Sequence, residues 1–429
     1  MRTEPAEPAA AVAPAASGSI APRRDDLRPG ASRRSFLRDA AAASAAATVP
    51  LPAAGVHAAG GQRLRIGLVG CGGRGTGAAV QALAADPAVR VVAVGDMFAD
   101  QVASAAEVLR RVGADRFDCP PDRRFTGVDA YRRVIDAGVD VVLLAAPPHV
   151  RPLHLEAAIA AGKHVYCEKP VAVDVAGVLR AASAADRGRQ TGLALVSGFC
   201  FRRDPRMKDL VARLHDGGIG RPRNVTAHAV IGLPWRRPAE SGGATDDGLR
   251  NWISFTTFSG GHLVERHVEA IDRAAWIFGD LAPARVEPLP EPAWAAAVAA
   301  APPEPFGDCP AATAVRYVYA DGRTIEAVIV RREQARDVVV ERVVGSSGAC
   351  DLVQGIVSGP RSWAAPPAGP GRHQAALTAL VQGVLTGRTV HDGTAMCRST
   401  LMAVLGGMAA ATGRPLAWTD LPAAASGVA

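Results

Sequence analysis

From Leu64 onward, short apolar runs recur between stretches with helical spacing. Leu64–Val69, Val89–Val94, Val139–Leu144, His164–Cys167 and Leu193–Val196 read as strands. Ala99–Val112, Leu153–Ala161 and Val173–Asp186 between them read as helices. Short, fully apolar strands that alternate with helices predict a parallel sheet buried on both faces. After Arg203 the pattern changes. Pro205–Asp216 reads as a helix, Asn224–Ile231 as a strand, and the Pro-, Gly- and charge-rich Leu233–Asn251 as a long loop or lid. His262–Phe278 reads as a helix. Val315–Tyr319 and Thr324–Val330 flank Asp321-Gly322, a hairpin signal. A further pair of strands surrounds Gly345–Gly348, and helices follow near His373–Leu385 and Ala395–Ala411.

The fold class is therefore α/β: an N-terminal, doubly wound parallel sheet of Rossmann type, then an α+β domain with an open, mostly antiparallel sheet. The expected divisions are a leader over 1–60, a dinucleotide-binding domain over 62–200, a substrate and oligomerisation domain over 201–420, and a tail over 421–429.

Gly70-Cys71-Gly72-Gly73-Arg74-Gly75 directly follows the first strand and opens a helix. In that context the glycines permit a tight turn, a close approach of backbone to a pyrophosphate, and close helix–strand packing. The helix N-terminus adds free N–H groups and a partial positive charge. Asp96 stands where an acid for the ribose hydroxyls is needed. A carboxylate there repels a 2′-phosphate, which favours NAD over NADP, with Arg74 as a counterweight. Ligands of such sheets bind at the carboxyl ends of strands. Those ends carry Pro147, Pro148 and His149, then Glu168-Lys169-Pro170, then Gly198-Phe199-Cys200. His149 either caps its rigid turn or meets nicotinamide or substrate.

Composition narrows the picture further. The net charge is +7, but the positive residues are scattered, and there is neither a basic helix nor a nucleic-acid motif. The cations are nearly all arginine, with lysine only at Lys163, Lys169 and Lys208. A lysine retained at a strand's carboxyl end is therefore informative. The seven cysteines are widely spaced, with neither a metal-type pairing nor a disulfide framework, and are expected to be small buried residues. The Ala- and Pro-rich leader contains Ser32-Arg33-Arg34-Ser35-Phe36-Leu37-Arg38, then a weakly apolar run from Ala40 to Val49 and the small-residue site Val56-His57-Ala58. This is the pattern of a twin-arginine signal, which predicts export of the folded protein to the periplasm or beyond. The apolar run is too short for a membrane span, so no stable anchor is expected.

The stretch from Gly138 to Asp174, with its Glu168-Lys169-Pro170, closely resembles the Gfo/Idh/MocA oxidoreductases. The resemblance extends from about Leu64 to Asp420 and includes GGHLVERHVEAID and TLMAVLGGMAAATG. It implies NAD(P)-dependent chemistry at a carbon bearing a hydroxyl, on sugars, inositols or related polyols. It also implies that Lys169 projects into the cleft toward the reacting hydroxyl and the cofactor ribose. The family places Asp-x-x-x-His after Gly-Gly, with the histidine as proton acceptor. Here Glu265 and Glu269 stand at those positions, which is a departure.

At helical spacing Leu263, Val264, Val268, Ile271, Ala274, Ala275 and Phe278 form one apolar face that includes His267, a core histidine on this reading. His262, Glu265, Glu269 and Asp272 share the opposite stripe, which faces solvent or the cleft. Glu265 and Glu269 lie four apart, so they are expected to raise each other's proton affinity. Glu269 is then the acid/base and Glu265 its orienting partner, and no metal is expected. Two other readings stay open: a glycoside-cleaving enzyme that recycles NAD without net redox, and a catalytically weak dinucleotide-binding protein. Trp235, Arg236 and Arg237 either line a sugar site or cover their own loop. The open sheet face predicts a homo-oligomer.

Overall fold

The protein is described by a computed structural model over residues 63–237, 243–290, 307–332, 337–367 and 371–422. The leader with its twin-arginine pattern lies outside the described residues. The first sheet has six parallel strands: β1 (Leu64–Val69), β2 (Val89–Asp96), β3 (Arg124–Thr126), β4 (Val141–Leu144), β5 (His164–Cys167) and β6 (Leu195–Ser197). Their order is β3-β2-β1-β4-β5-β6. Every residue of β4 is buried, because helices cover both faces. That is why these strands read as unbroken apolar runs. The short β3 pattern, Arg-Phe-Thr, buries only Phe125 and gives no such signal.

The second sheet has nine strands: β7 (Pro222–Ile231), β8 (Arg285–Pro288), β9 (Ala312–Val318), β10 (Thr324–Arg331), β11 (Val338–Gly345), β12 (Ala349–Asp351), β13 (Ile356–Ser358), β14 (Trp363–Ala364) and β15 (Leu416–Ala417). Among the described residues, only the central β7–β10 pair of this sheet is parallel. In β7 Val225, Ala227, Ala229 and Ile231 are buried alternately, so one face packs against helix Val268–Ile277. The β9–β10 hairpin turns through Gly322 at φ 82°, as Asp321-Gly322 predicts.

Two expectations change. Leu233–Asn251 is not all loop, because Gly243–Arg250 is helical. Asn251, fully buried, holds this helix by donating to the carbonyl and carboxylate of Asp247. The chain also does not leave the first domain for good at residue 200. Helix Arg372–Leu385 packs on helix Gly73–Ala85, and Ala376, Leu377, Leu380 and Val381 join the apolar cluster formed by Ile66, Leu68 and Val91. This late helix brings Arg372 and His373 to the mouth of the first sheet. All seven cysteines are free and buried, as expected of small core residues. Among the described residues, no helix is long and apolar enough to cross a membrane.

Candidate active site

The glycine turn after β1 is built by steric necessity. Gly70 adopts φ 95°, and a Cβ there would stand 2.3 Å from the Ala146 nitrogen. A Cβ on Gly75 would stand 1.8 Å from the Gly70 oxygen, so helix and strand meet at backbone distance. Gly72 and Gly73 instead face open space, with nothing within 4 Å of a built Cβ. Gly72 is the N-cap of the helix that follows, and no side chain caps it. An open cradle above uncapped helix N–H groups fits a pyrophosphate. Asp96 closes the turn from beside: its Oδ2 accepts the Cys71 N–H at 2.7 Å and its Oδ1 accepts the Phe98 N–H at 3.0 Å. Burial nevertheless raises its proton affinity above the ordinary value, against these two hydrogen bonds. Each oxygen retains acceptor capacity for ribose hydroxyls.

Arg74 does not point at Asp96. Its Nε lies 3.0 Å from Glu168 Oε1 and its Nη2 donates to Gln81 at 2.6 Å. Glu168, buried at the end of β5, also accepts the Tyr166 hydroxyl at 2.9 Å and the Lys169 N–H at 3.2 Å. The dinucleotide turn and the Glu168-Lys169-Pro170 segment are thus one bonded unit. Lys169-Pro170 is a cis peptide. Arg151, buried, donates to the carbonyls of Pro170 and Ala146 and so ties the β5 end to the Pro147-Pro148 turn. In that turn His149 is half-buried with its ring 4.9 Å from Phe258, and burial lowers its proton affinity.

Lys169 Nζ donates to the Glu265 carbonyl at 2.6 Å and lies 3.5 Å from its Oε1. The residues it reaches, Leu263–His267, form a π-turn that leads into the α-helix Val268–Ile277. Such widened turns are frequent at functional sites. Burial opposes the charge on Lys169, but the carboxylates of Glu265, Glu269 and Glu168 outweigh it and hold the ammonium above its ordinary value.

The two glutamates diverge rather than raising each other. Burial pushes Glu265 up, with Lys169 the chief opposing charge. Burial also acts on Glu269, but Lys169, Arg273, Arg372 and His373 together bring it below its ordinary value. The cations reach Glu269 from three different elements, which helix spacing alone does not reveal. The guanidinium groups of Arg273 and Arg372 both lie over the Phe201 ring, at 3.8 and 4.2 Å from its centre.

A cavity of about 590 Å³ lies here, lined by Lys169, Glu265, Glu269, Arg273 and Arg372, with Ile231 among its apolar walls. Among the described residues, Glu265 Oε2, Arg273 Nη1 and Arg372 Nε are buried without a partner. The structure therefore brings Lys169, Glu265 and Glu269 together, and sets Gly70, Cys71, Gly72, Gly73, Arg74, Gly75 and Asp96 around the neighbouring glycine cradle.

His267 is the core residue expected, its Nε2 bonded to the Ala227 carbonyl at 2.7 Å. The opposite stripe is corrected. Asp272 is buried in a network with Arg202 and Ser399, and His262 is buried away from the cavity lining. Trp235, Arg236 and Arg237 do not line the cavity either. Arg273, Arg372 and Arg151 carry no sequence signal, since arginine is common throughout this chain.

Comparison with known proteins agrees with this geometry. Residues 64–194 match the Gfo/Idh/MocA model described as an oxidoreductase family, NAD-binding Rossmann fold. Inositol 2-dehydrogenase 1 of Saccharopolyspora erythraea is 34% identical over 168 residues, covering 39% of this chain and 45% of that protein. Myo-inositol 2-dehydrogenase of Thermotoga maritima is 25% identical over 217 residues, 51% of this chain and 55% of its own length. The chain thus spans about half the length of the curated relatives it matches. The two-domain fold is shared more widely. A levoglucosan dehydrogenase solved with NADH and L-sorbose superposes with a TM-score of 0.62 at 18% identity, over 83% of this chain and 99% of that one. The aldose-aldose oxidoreductase from Caulobacter crescentus, solved with glycerol, gives 0.63 at 21%, with the same coverage.

Proposed function

We propose, from the premise that residues 64–194 are a Gfo/Idh/MocA-type NAD-binding Rossmann domain, that the whole chain is an NAD-dependent oxidoreductase acting on a CH–OH group of a sugar or polyol. The observation that carries the reading is Lys169, whose ammonium stands between the end of β5 and two glutamates in a cavity with unpartnered donors and acceptors. A polyhydroxyl compound offers partners of both kinds. The inositol and levoglucosan dehydrogenases among its relatives point to the same substrate class.

Bound NAD supplies the hydride acceptor. The chain's own residues manage the proton. Lys169 hydrogen-bonds the substrate oxygen and stabilises its developing negative charge. Glu265, whose proton affinity is raised, accepts the hydroxyl proton as the carbonyl forms. Glu269, held ionised, keeps Lys169 and the arginines in place. This assigns the proton to Glu265 and not to Glu269, because a carboxylate stabilised by Lys169, Arg273 and Arg372 is the weaker base.

The direct test is reduced-nicotinamide absorbance with a panel of sugars and polyols. Failure of every substrate to reduce NAD would sink the redox reading, and aglycone release without net reduction would replace it with NAD-recycling cleavage. Glu265→Gln is expected to lower kcat by roughly 10²-fold or more with NAD binding retained. Oxidation by the parent should rise with pH as Glu265 loses its proton, through an apparent pKa above the ordinary carboxylate value, and the variant should lack that limb. An equal loss confined to Glu269→Gln would return the base to Glu269.

The reading includes export by the twin-arginine route, supported by Ser32-Arg33-Arg34-Ser35-Phe36-Leu37-Arg38, and a homo-oligomer formed through the open face of the second sheet. Replacing Arg33 and Arg34 together by lysine should leave the protein inside the cell in a fractionation assay. An unchanged periplasmic fraction would remove export from the proposal.

A further inference from the structure

The second domain reaches the segment that follows β2. Asp96 ends β2, and Phe98, Asp100 and Gln101 carry the chain from it into helix Ala99–Val112. Arg250 donates through Nη1 and Nη2 to the two carboxylate oxygens of Asp100, at 3.2 and 3.1 Å. Its guanidinium carbon also lies 4.0 Å from the centre of the Phe98 ring. Arg237 donates through Nη2 to Gln101 Oε1 at 3.2 Å, and its charge acts on Asp96.

Arg237 and the helix that ends at Arg250 are held from their own side. The Asn251 side chain accepts the Arg237 N–H at 2.7 Å and donates to the Asp247 carboxylate at 2.9 Å. Gly232, just after β7, donates to Asp337 at 3.0 Å. The Arg250 side chain is only 12% exposed, against 49% for Asp100. A two-pronged pair with one partner shielded from water is stronger than an ordinary surface ion pair.

We propose that the adenosine end of the dinucleotide site is a two-domain site, in which Arg250 and Arg237 hold the Asp96–Gln101 segment and thereby slow the departure of the cofactor. The proposal rests on the reading of the first domain as an NAD site, which places the adenosine ribose at Asp96. The wall beside that ribose is then tethered to the second domain at Phe98, Asp100 and Gln101. Tethers of this kind act mainly on dissociation, because they add nothing to the diffusional encounter.

The test uses the full chain loaded with NADH. Dissociation is followed by the loss of NADH fluorescence on mixing with excess NAD. Arg250→Ala and Asp100→Asn should each speed release about tenfold, equivalent to about 1.4 kcal/mol. The double variant should release no faster than either single one, since both remove the same pair. Asp100→Asn sits on an exposed helix start, so it keeps the test open should Arg250→Ala fail to fold. Release rates within about twofold of the parent in the folded variants would overturn the proposal, as would a double variant showing the product of the two single effects. A parent chain that binds no NADH at all would overturn the reading of the first domain itself, an outcome distinct from normal binding with unaltered variant rates.

Discussion

Lys169→Ala is expected to lower kcat on any accepted sugar or polyol by roughly 10²–10³-fold, the usual worth of a donor that stabilises a developing oxyanion. NADH affinity should change by no more than a few-fold, because the glycine cradle and Asp96 are untouched. The two readouts separate the roles: a site built only to hold the cofactor would lose binding without a selective loss of kcat. The substitution also removes the ammonium that opposes protonation of Glu265. Glu265 then faces burial with one cation fewer, and its proton affinity rises further. It becomes neutral by taking a proton, which spares the fold the cost of an isolated buried charge. The residual activity of Lys169→Ala should accordingly shift to higher pH. A variant with unchanged kcat, or with its pH profile in place, would remove Lys169 from the reaction.

Gly75→Ala is expected to abolish dinucleotide binding. The new methyl group would stand 1.8 Å from the Gly70 oxygen and 3.1 Å from the Ala145 Cβ. The first neighbour is backbone, in a turn that Gly70 already fixes at φ 95°, so it cannot swing aside as a side chain would. Helix Gly73–Ala85 must move off β1, and the N–H groups over the cradle move with it. Overpacking costs typically about 1–3 kcal/mol where side chains yield, and this site should lie at or above the upper end. Thermal unfolding and NADH titration measure the two consequences. Gly73→Ala is the control, because a Cβ there meets nothing within 4 Å. It should retain a near-parental melting temperature while weakening NADH binding by filling the cradle. Normal binding by Gly75→Ala would contradict the packing role assigned to that glycine.

The features legible in the sequence are those that local chemistry dictates. Burial on both faces leaves β1, β2, β4 and β5 as apolar runs, so the parallel sheet reads directly. Three glycines with distinct steric duties, followed by Asp96 at a strand's end, specify a dinucleotide turn. The scarcity of lysine singles out Lys169 before any coordinate is known. His267 falls on the apolar face by spacing alone, and it is buried there.

What local pattern does not contain is which distant charges converge. Glu265 and Glu269 sit one helical turn apart and look equivalent by spacing, yet one is pushed up and the other down. The difference comes from Arg372, more than a hundred residues later in the chain, and from Arg273 on the following turn. Likewise Arg237 and Arg250 read as residues of one Pro-, Gly- and charge-rich loop, but their partners are Gln101 and Asp100 of the first domain. Backbone geometry and hydrophobic period depend on neighbours along the chain, so the sequence by itself determined the sheet, the glycine turn and the lysine. Electrostatic environment depends on neighbours in space. Only the tertiary structure decided which carboxylate is pushed up and which down, and which residues of the first domain Arg237 and Arg250 hold.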